Sequence, residues 1–213
     1  MKTIRTEKKG YETFEEKRDK YIADNNVYLV YGHTHRYDEG VNHLNIDSAG
    51  YNSAFHYIDN TLVVADLHLG VDKCVKKQEF IISELLKEDY DQVIFLGDTF
   101  EMALFSNDKI LDDKTGFWTW LFSTNKKVIF VWGNHDINIK NALNRIRKIL
   151  LSRHNTKIVE YYDIGRIRFI HGHQFDKYCS GWYLKIFSIA DYLNLPVTFV
   201  DWFIEKFFGR KRN

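Results

Sequence analysis

Five short polar clusters of the sequence contain the side chains that bind transition metals. Six of the nine histidines lie in these clusters. Imidazoles and carboxylates together suit Mn, Fe and Zn, and two such ions about 3.5–4 Å apart can clamp the attacking and leaving oxygens of a phosphoryl displacement. The clusters therefore predict a two-metal site for phosphoester hydrolysis. They are Gly32-His33-Thr34-His35, Asp66-Leu67-His68, Gly97-Asp98, Gly133-Asn134-His135-Asp136 and His171-Gly172-His173.

The spacing inside two of the clusters predicts that their side chains face one site. One residue separates Asp66 from His68, and one separates His33 from His35. Alternate side chains of an extended segment point to the same side, so each pair can face a metal ion. A single cluster of this kind is more often a turn or a helix cap, and it is the set of five that indicates a metal site.

Each cluster follows a short apolar run of the kind that forms strands buried on both faces. Helical patterns fall between these runs, at residues 11–24, 75–87 and 142–151. Strands that alternate with helices predict an α/β fold, in which ligands bind beyond the carboxyl ends of the strands. The clusters can therefore meet in space. The predicted strands are residues 27–31, 61–65, 92–96, 127–132 and 166–170.

Two further segments carry structural predictions. Asp59-Asn60 separates the strand-like residues 53–58 and 61–65 and predicts a β-hairpin. Residues 179–208 carry two apolar stripes at helical spacing on either side of Pro196, which predicts a helical hairpin. This hairpin is either a packed pair of core helices or a lid over the substrate, and a membrane-surface role is a weaker third interpretation.

Composition limits the classes of function. The net charge of +1 gives no overall electrostatic case for a nucleic-acid partner. Two cysteines, Cys74 and Cys179, are too few for a disulfide framework, so a reducing compartment and a cytoplasmic location are expected. The charged N-terminal residues do not resemble a signal peptide. No apolar run is long enough to span a bilayer, although peripheral membrane contact stays open.

The five clusters together resemble the metal-binding motifs of the calcineurin-like metallophosphoesterase family, over nearly the whole chain. The resemblance implies a sandwich of two β-sheets flanked by helices, here as one domain of residues 1–213 with the hairpin at 179–208 as an insertion. The contexts of three clusters, at residues 65–69, 96–101 and 171–176, are most similar to the branch that includes UDP-2,3-diacylglucosamine hydrolase.

Two departures from the family pattern affect what the resemblance implies. The Gly-His-x-His motif comes last in the family, whereas here it comes first, at residues 32–35, and the other motifs keep their order. The sequence therefore resembles a circularly permuted member. His135 stands where the diacylglucosamine hydrolases typically have arginine, and it matches the broader family instead. This supports phosphoester chemistry but leaves the lipid substrate open.

The resemblance also implies the ligands of two divalent ions that share Asp98 as a bridge. Mn is the expected metal, with Fe and Zn as alternatives. The first ion would be held by Asp66, His68, Asp98 and His35, and the second by Asp98, Asn134, His171 and His33. Neither of these ligand sets includes His173, which is expected either to support a ligand or to face the substrate.

Catalytic roles follow from the same resemblance. A hydroxide bridging the two ions would be the nucleophile, because metal binding lowers the pKa of water toward neutrality. His135 would stand near the leaving-group oxygen as proton donor or charge stabiliser, and Asp136 would orient it.

The sequence thus predicts a hydrolase of phosphodiester, pyrophosphate or phosphomonoester bonds. The aromatic residues of 179–208 favour a bulky substrate, nucleotide-linked or lipid-like. One alternative is a metal-bound scaffold that binds a partner protein, against which the complete ligand set and His135 argue. The other is a nuclease, which the near-neutral charge disfavours although the basic ends could form a local patch.

Overall fold

A computed structural model of the chain describes residues 13–33, 38–46, 55–58, 60–87 and 89–176. These residues form two five-stranded sheets with the strand orders β2-β3-β1-β10-β9 and β4-β5-β6-β7-β8. The strands are β1 Tyr28–Tyr31, β2 Asp38–Gly40, β3 His43–Asn45, β4 Phe55–Ile58, β5 Thr61–Val64, β6 Gln92–Leu96, β7 Lys127–Val131, β8 Thr156–Val159, β9 Tyr161–Ile164 and β10 Ile167–Ile170.

Helices cover the outer faces of the two sheets. The helix α1 begins after Thr13, whose side chain accepts from the Glu16 backbone while the Glu16 carboxylate accepts from the Thr13 backbone, a reciprocal capping box. A short 3₁₀ turn, Asp72–Cys74, precedes α2, and a second, Ile137–Lys140, precedes α5. The helices are α1 Phe14–Asn25, α2 Val75–Leu85, α3 Asn107–Leu111, α4 Phe117–Ser123 and α5 Arg145–Leu151.

Side-chain alternation along the strands divides the core into layers. In β5, Val63 belongs to a cluster shared by the two sheets, together with Val30 and Phe169 of the other sheet. Its neighbours Leu62 and Val64 belong to a different cluster, with the apolar residues of α2, α4 and α5. Because successive strand residues point to opposite faces, the apolar runs are buried on both sides. The result is a helix–sheet–sheet–helix sandwich.

The predicted clusters follow the carboxyl ends of parallel strands, at one end of each sheet. β5, β6, β7 and β8 are parallel, with β4 antiparallel at the edge beside β5. In the other sheet β1 lies parallel between β3 and β10. The carboxyl ends of β5, β6 and β7 therefore lie together at one end of their sheet, and those of β1 and β10 lie together at one end of the other sheet.

The predicted α/β sandwich of two sheets flanked by helices is confirmed. The five strands expected before the clusters all form, and the predicted hairpin corresponds to the antiparallel pair β4–β5. The third predicted helix, expected from residue 142, begins at Arg145 because the Asn144 side chain caps it. The predicted hairpin at 179–208 lies outside the described residues. In the described part of the chain, no helix is long and apolar enough to cross a membrane.

Candidate metal centre

The two sheets lie side by side at the strand ends that the clusters follow. The backbone nitrogens of Gly32 and His33, after β1, both donate to the carbonyl of His171, after β10, at 3.1 and 3.0 Å. The imidazole Nδ1 of His171 reaches the carbonyl of Leu96, the last residue of β6 in the other sheet, at 2.9 Å. The ends of three strands, β1, β10 and β6, thereby meet, as the sequence predicted.

The first ligand cluster is centred on His171, whose side chain is fully buried. Its Nε2 lies 3.2 Å from Asn134 Oδ1, 3.2 Å from Asp98 Oδ2 and 3.3 Å from His33 Nδ1. The ligand atoms of His33, Asp98 and His171 all lie within 4.8 Å of one another. All four residues were predicted to hold the second ion.

Hydrogen bonding orients both histidines of this cluster toward its centre. His171 Nδ1 faces a carbonyl and therefore carries the proton, which leaves a lone pair on Nε2 when the ring is neutral. His33 Nε2 lies 3.3 Å from the Asp176 carboxylate, which likewise leaves the lone pair on Nδ1. Two nitrogen lone pairs, a carboxylate and an amide oxygen then face one another. Such a group of electron donors fits a divalent cation.

The second ligand cluster consists of Asp66, His68 and Asp98, whose ligand atoms also lie within 4.8 Å of one another. Asp66 is 1% exposed, and within the described residues neither of its carboxylate oxygens has a hydrogen-bond partner. His68 Nε2 lies 3.9 Å from Asp66 Oδ1, too far for a hydrogen bond. Burying an ionised carboxylate without a hydrogen bond costs several kcal/mol, so this side chain also fits a cation. The fourth predicted ligand, His35, lies outside the described residues.

Asp98 belongs to both clusters. Its Oδ2 faces His171, and its Oδ1 accepts a hydrogen bond from the backbone nitrogen of His135 at 2.9 Å. Burial alone would raise the pKa of Asp98, but the charges of His171, His135 and His68 hold it well below its usual range. The shared position is the one that a carboxylate between two cations would occupy.

The backbone at Asp66 and His68 differs from the expectation, and Asp98 shares their conformation. Asp66 and His68 were predicted to share a side because they alternate along an extended segment. Instead they have φ values of 50° and 49°, and Asp98 has 48°. These values lie in the left-handed region, which non-glycine residues rarely adopt. The two side chains do reach one cluster, but a strained turn brings them there, and such strain is common at functional sites.

Glycines next to the ligands allow the loops to approach closely. Gly97 has a φ of 84°, and a Cβ at this position would overlap the ring of His171. A Cβ on Gly133 would overlap the Asp98 carboxylate and lie 2.5 Å from the Asp98 backbone nitrogen. A side chain at either position would displace a predicted ligand.

Glu101 is a site residue that the predicted ligand and catalytic sets did not contain. It is 2% exposed and lies between two histidines. Its Oε2 is 2.8 Å from His68 Nδ1, and its Oε1 is 2.5 Å from His135 Nδ1. Glu101 therefore orients one predicted ligand and the predicted catalytic histidine at once. The sequence offers two signals, a carboxylate three residues after Asp98, which a surface glutamate would also give, and the place of Glu101 in the 96–101 context of the family resemblance.

His135 combines a fixed inner end with access to solvent. Its side chain is 32% exposed, against 3% for Glu101. Burial would lower the pKa of His135, but the Asp98 charge and the Glu101 hydrogen bond raise it to about 9. His173, in contrast, is buried against Trp132 and His171, and desolvation and the neighbouring His171 lower its pKa to about 3.

Asp136 connects two loops through backbone hydrogen bonds. Its Oδ1 accepts from the nitrogen of Phe100 at 2.7 Å, and its Oδ2 accepts from those of Thr99 and Gly133 at 3.1 Å each. Asp136 was expected to orient His135, and the carboxylate that contacts the His135 imidazole is that of Glu101. Asp136 thus orients the site by holding the loop that carries Asp98 against the loop that carries Asn134 and His135.

Replacing Asp136 by alanine is expected to lower the free energy of unfolding by about 3–5 kcal/mol, because three buried N–H groups lose their acceptor. Asp136→Asn keeps one acceptor oxygen and should lie between alanine and wild type. Urea unfolding of the metal-free proteins measures the difference. A loss below about 1 kcal/mol for Asp136→Ala would contradict the connecting role, since it would be close to the change of about 0.5 kcal/mol or less that ordinary surface substitutions cause.

Comparison with known proteins gives a family match. The model of the family described as calcineurin-like phosphoesterase matches residues 60–208. No curated protein matches the sequence significantly. Among solved structures, the chain is similar to a Pseudomonas putida protein described as nuclease MPE, with 24% identity over 50% of each chain and a TM-score of 0.35. That similarity spans only half the length of either protein and carries no conclusion about activity.

Proposed function

Because the chain belongs to the calcineurin-like phosphoesterase family, whose members use divalent metals, we propose that it hydrolyses phosphoesters with two divalent ions bound at the described site. The observation that carries the proposal is the position of Asp98, which the two ligand clusters share. A lone metal site would need only one of these clusters.

The residues present fit the two ions. Asp66, His68 and Asp98 would hold one, with His35 as the remaining proposed ligand. The other would be held by Asp98, Asn134, His171 and His33. Bound divalent ions would supply Lewis-acid polarisation of the phosphoryl oxygens and a nucleophile at neutral pH. We propose Mn as the metal, with Fe or Zn as alternatives, because the set mixes imidazole with oxygen ligands.

His135 is the residue proposed to act on the leaving group. Glu101 fixes its Nδ1, so Nε2 is the nitrogen left for the substrate. Its ring is more exposed than those of the two partly buried ligand histidines: 32%, against 13% for His33 and 15% for His68. It can therefore meet a substrate arriving from solvent. Positioned in this way, the imidazole can give a proton to the leaving oxygen or stabilise its charge.

Replacing His135 by alanine is expected to lower kcat for an aryl phosphodiester by about 10²–10⁴-fold, the usual contribution of a positioned general acid. The binding of two Mn²⁺ per chain should be unchanged, because His135 belongs to neither proposed ligand set. Hydrolysis of bis(p-nitrophenyl) phosphate and of p-nitrophenyl phosphate in Mn²⁺ measures the effect, and the ratio of the two rates begins to define the substrate.

His154→Ala is the matched control for this experiment. His154 is exposed and precedes β8, at the end of the sheet away from the site, so its loss should leave the rates unchanged. A His135→Ala enzyme within threefold of wild type would contradict the catalytic role. A wild type that binds two ions yet hydrolyses neither ester would favour the scaffold, and hydrolysis of oligonucleotides alone would favour the nuclease.

Finer features of the protein are part of the same proposal. The bond cleaved is a phosphodiester, pyrophosphate or phosphomonoester bond, and the substrate is nucleotide-linked or lipid-like. The branch of UDP-2,3-diacylglucosamine hydrolase and a cytoplasmic location stay predictions from the sequence. A circular permutation is supported by the family match, which begins at residue 60, and by His33, which precedes that match and yet lies 3.3 Å from His171.

A further inference from the structure

Two adjacent side chains of α2 bind three successive backbone carbonyls of the strained turn after β5. Lys77 Nζ donates to the carbonyl of Asp66 at 2.6 Å. Gln78 Nε2 donates to the carbonyl of Leu67 at 3.2 Å and to that of His68 at 2.7 Å. The backbone that presents two proposed ligands of one ion is therefore held by a helix that supplies no ligand itself.

The turn needs such support because of its backbone conformation. Asp66 and His68 have φ values near 50°, a conformation that costs about 1–2 kcal/mol per residue for side chains other than glycine. It persists only where the surroundings determine it. On the strand side, the nitrogens of Asp66 and His68 donate to the carbonyls of Gly97 and Asp98 at 3.2 and 2.9 Å. Lys77 and Gln78 complete the support on the helix side.

Gln78 is well placed for this purpose. It is 1% exposed, so its hydrogen bonds do not compete with bulk water. The His68 carbonyl also accepts from the Val71 backbone nitrogen at 3.2 Å, but in the described part of the chain the carbonyls of Asp66 and Leu67 depend on the α2 donors alone. An unsatisfied buried carbonyl costs about 1–3 kcal/mol. Rotation of these peptide groups toward other donors would also rotate the side chains of Asp66 and His68 away from Asp98.

We propose that Gln78, supported by Lys77, is a positioning residue that sets the affinity of the ion held by Asp66 and His68, without affecting the ion held by His33 and His171. This role rests on the proposed two-metal function. It differs from a general structural role because the three carbonyls belong to the turn that serves only one of the two ions.

Mn²⁺ titration of single-site variants tests the proposal without any catalytic assay. In a His33→Ala background, which weakens the other site, Gln78→Met is expected to reduce Mn²⁺ affinity by about 10–100-fold, the usual effect of losing a group that orients a ligand. In an Asp66→Ala background the same substitution should change affinity by less than threefold. Lys77→Met should reduce Mn²⁺ affinity by a smaller factor, and again only in the His33→Ala background. It serves as the second variant if Gln78→Met fails to fold.

Gln92→Met is the matched control. Gln92 donates to the Thr61 hydroxyl at 2.8 Å. Both residues begin their strands, β6 and β5, at the end of the sheet away from the site, so the substitution should alter neither metal site. Equal weakening of both sites by Gln78→Met, or no weakening of either, would overturn the positioning role while leaving the metal centre intact. A wild-type protein that binds no Mn²⁺ would overturn the metal centre itself, and this role with it.

Discussion

Replacing Asp98 by asparagine is expected to abolish phosphoester hydrolysis, with kcat/KM falling at least about 10³-fold. Asparagine has nearly the same shape, and its oxygen can still accept the hydrogen bond from the His135 backbone. It has lost the charge, and its NH₂ group cannot bind a metal. Because Asp98 is the residue shared by both clusters, a single uncharged substitution should weaken both sites at once.

The measurement combines kinetics on the aryl phosphodiester with metal content after removal of free Mn²⁺. Fewer than two ions per chain are expected for Asp98→Asn. Asp91→Asn is the control, because Asp91 is exposed just before β6 and its carboxylate accepts from Asn60 at 3.0 Å, away from the site. An Asp98→Asn protein that keeps two ions and hydrolyses within tenfold of wild type would show that Asp98 is not the bridge.

The second large effect is expected at Glu101, which contacts His68 with one oxygen and His135 with the other. Glutamine can accept a hydrogen bond with only one of its two terminal atoms, so Glu101→Gln can no longer accept from both imidazoles as the carboxylate does. Through His68, the substitution should weaken Mn²⁺ binding by about 10–100-fold. Through His135, it should lower kcat by about 10²-fold even at saturating Mn²⁺.

These two effects can be separated. Mn²⁺ titration reports the His68 contact, and kcat at saturating metal reports the His135 contact. In the double variant Glu101→Gln/His135→Ala, kcat should fall little below that of His135→Ala alone, because both substitutions disable the same group. Glu79→Gln on the exposed face of α2 is the control. Fully additive losses in the double variant would show that Glu101 does not act through His135.

The sequence could predict the strand framework and the residues that gather at its edges. Buried strands are continuous apolar runs, and the polar residues that follow them must lie at the carboxyl ends of the strands. This logic predicts that His33, Asp66, Asp98 and His171 lie near one another. It could not predict β8 and β9, at Thr156–Val159 and Tyr161–Ile164, because exposed positions interrupt their apolar residues.

The contacts that orient the site were beyond prediction for a different reason. The neighbours of Glu101, Asp136 and Gln78 are set by tertiary structure, and a buried glutamate or glutamine has no local pattern that separates it from one on the surface. The left-handed backbone at Asp66 and His68 was also missed, since neither residue is a glycine. The family resemblance implied Asp136 as the residue that orients His135, whereas the carboxylate in contact with the His135 ring is that of Glu101.

The most direct test of the two-metal account is Mn²⁺ titration into metal-free protein, followed by electron paramagnetic resonance of the loaded sample. The account predicts two ions per chain and a spectrum in which the two Mn²⁺ spins are coupled, because ions that share Asp98 lie about 3.5–4 Å apart. Binding of no Mn²⁺, of one ion only, or of two ions with independent spectra would contradict the shared centre.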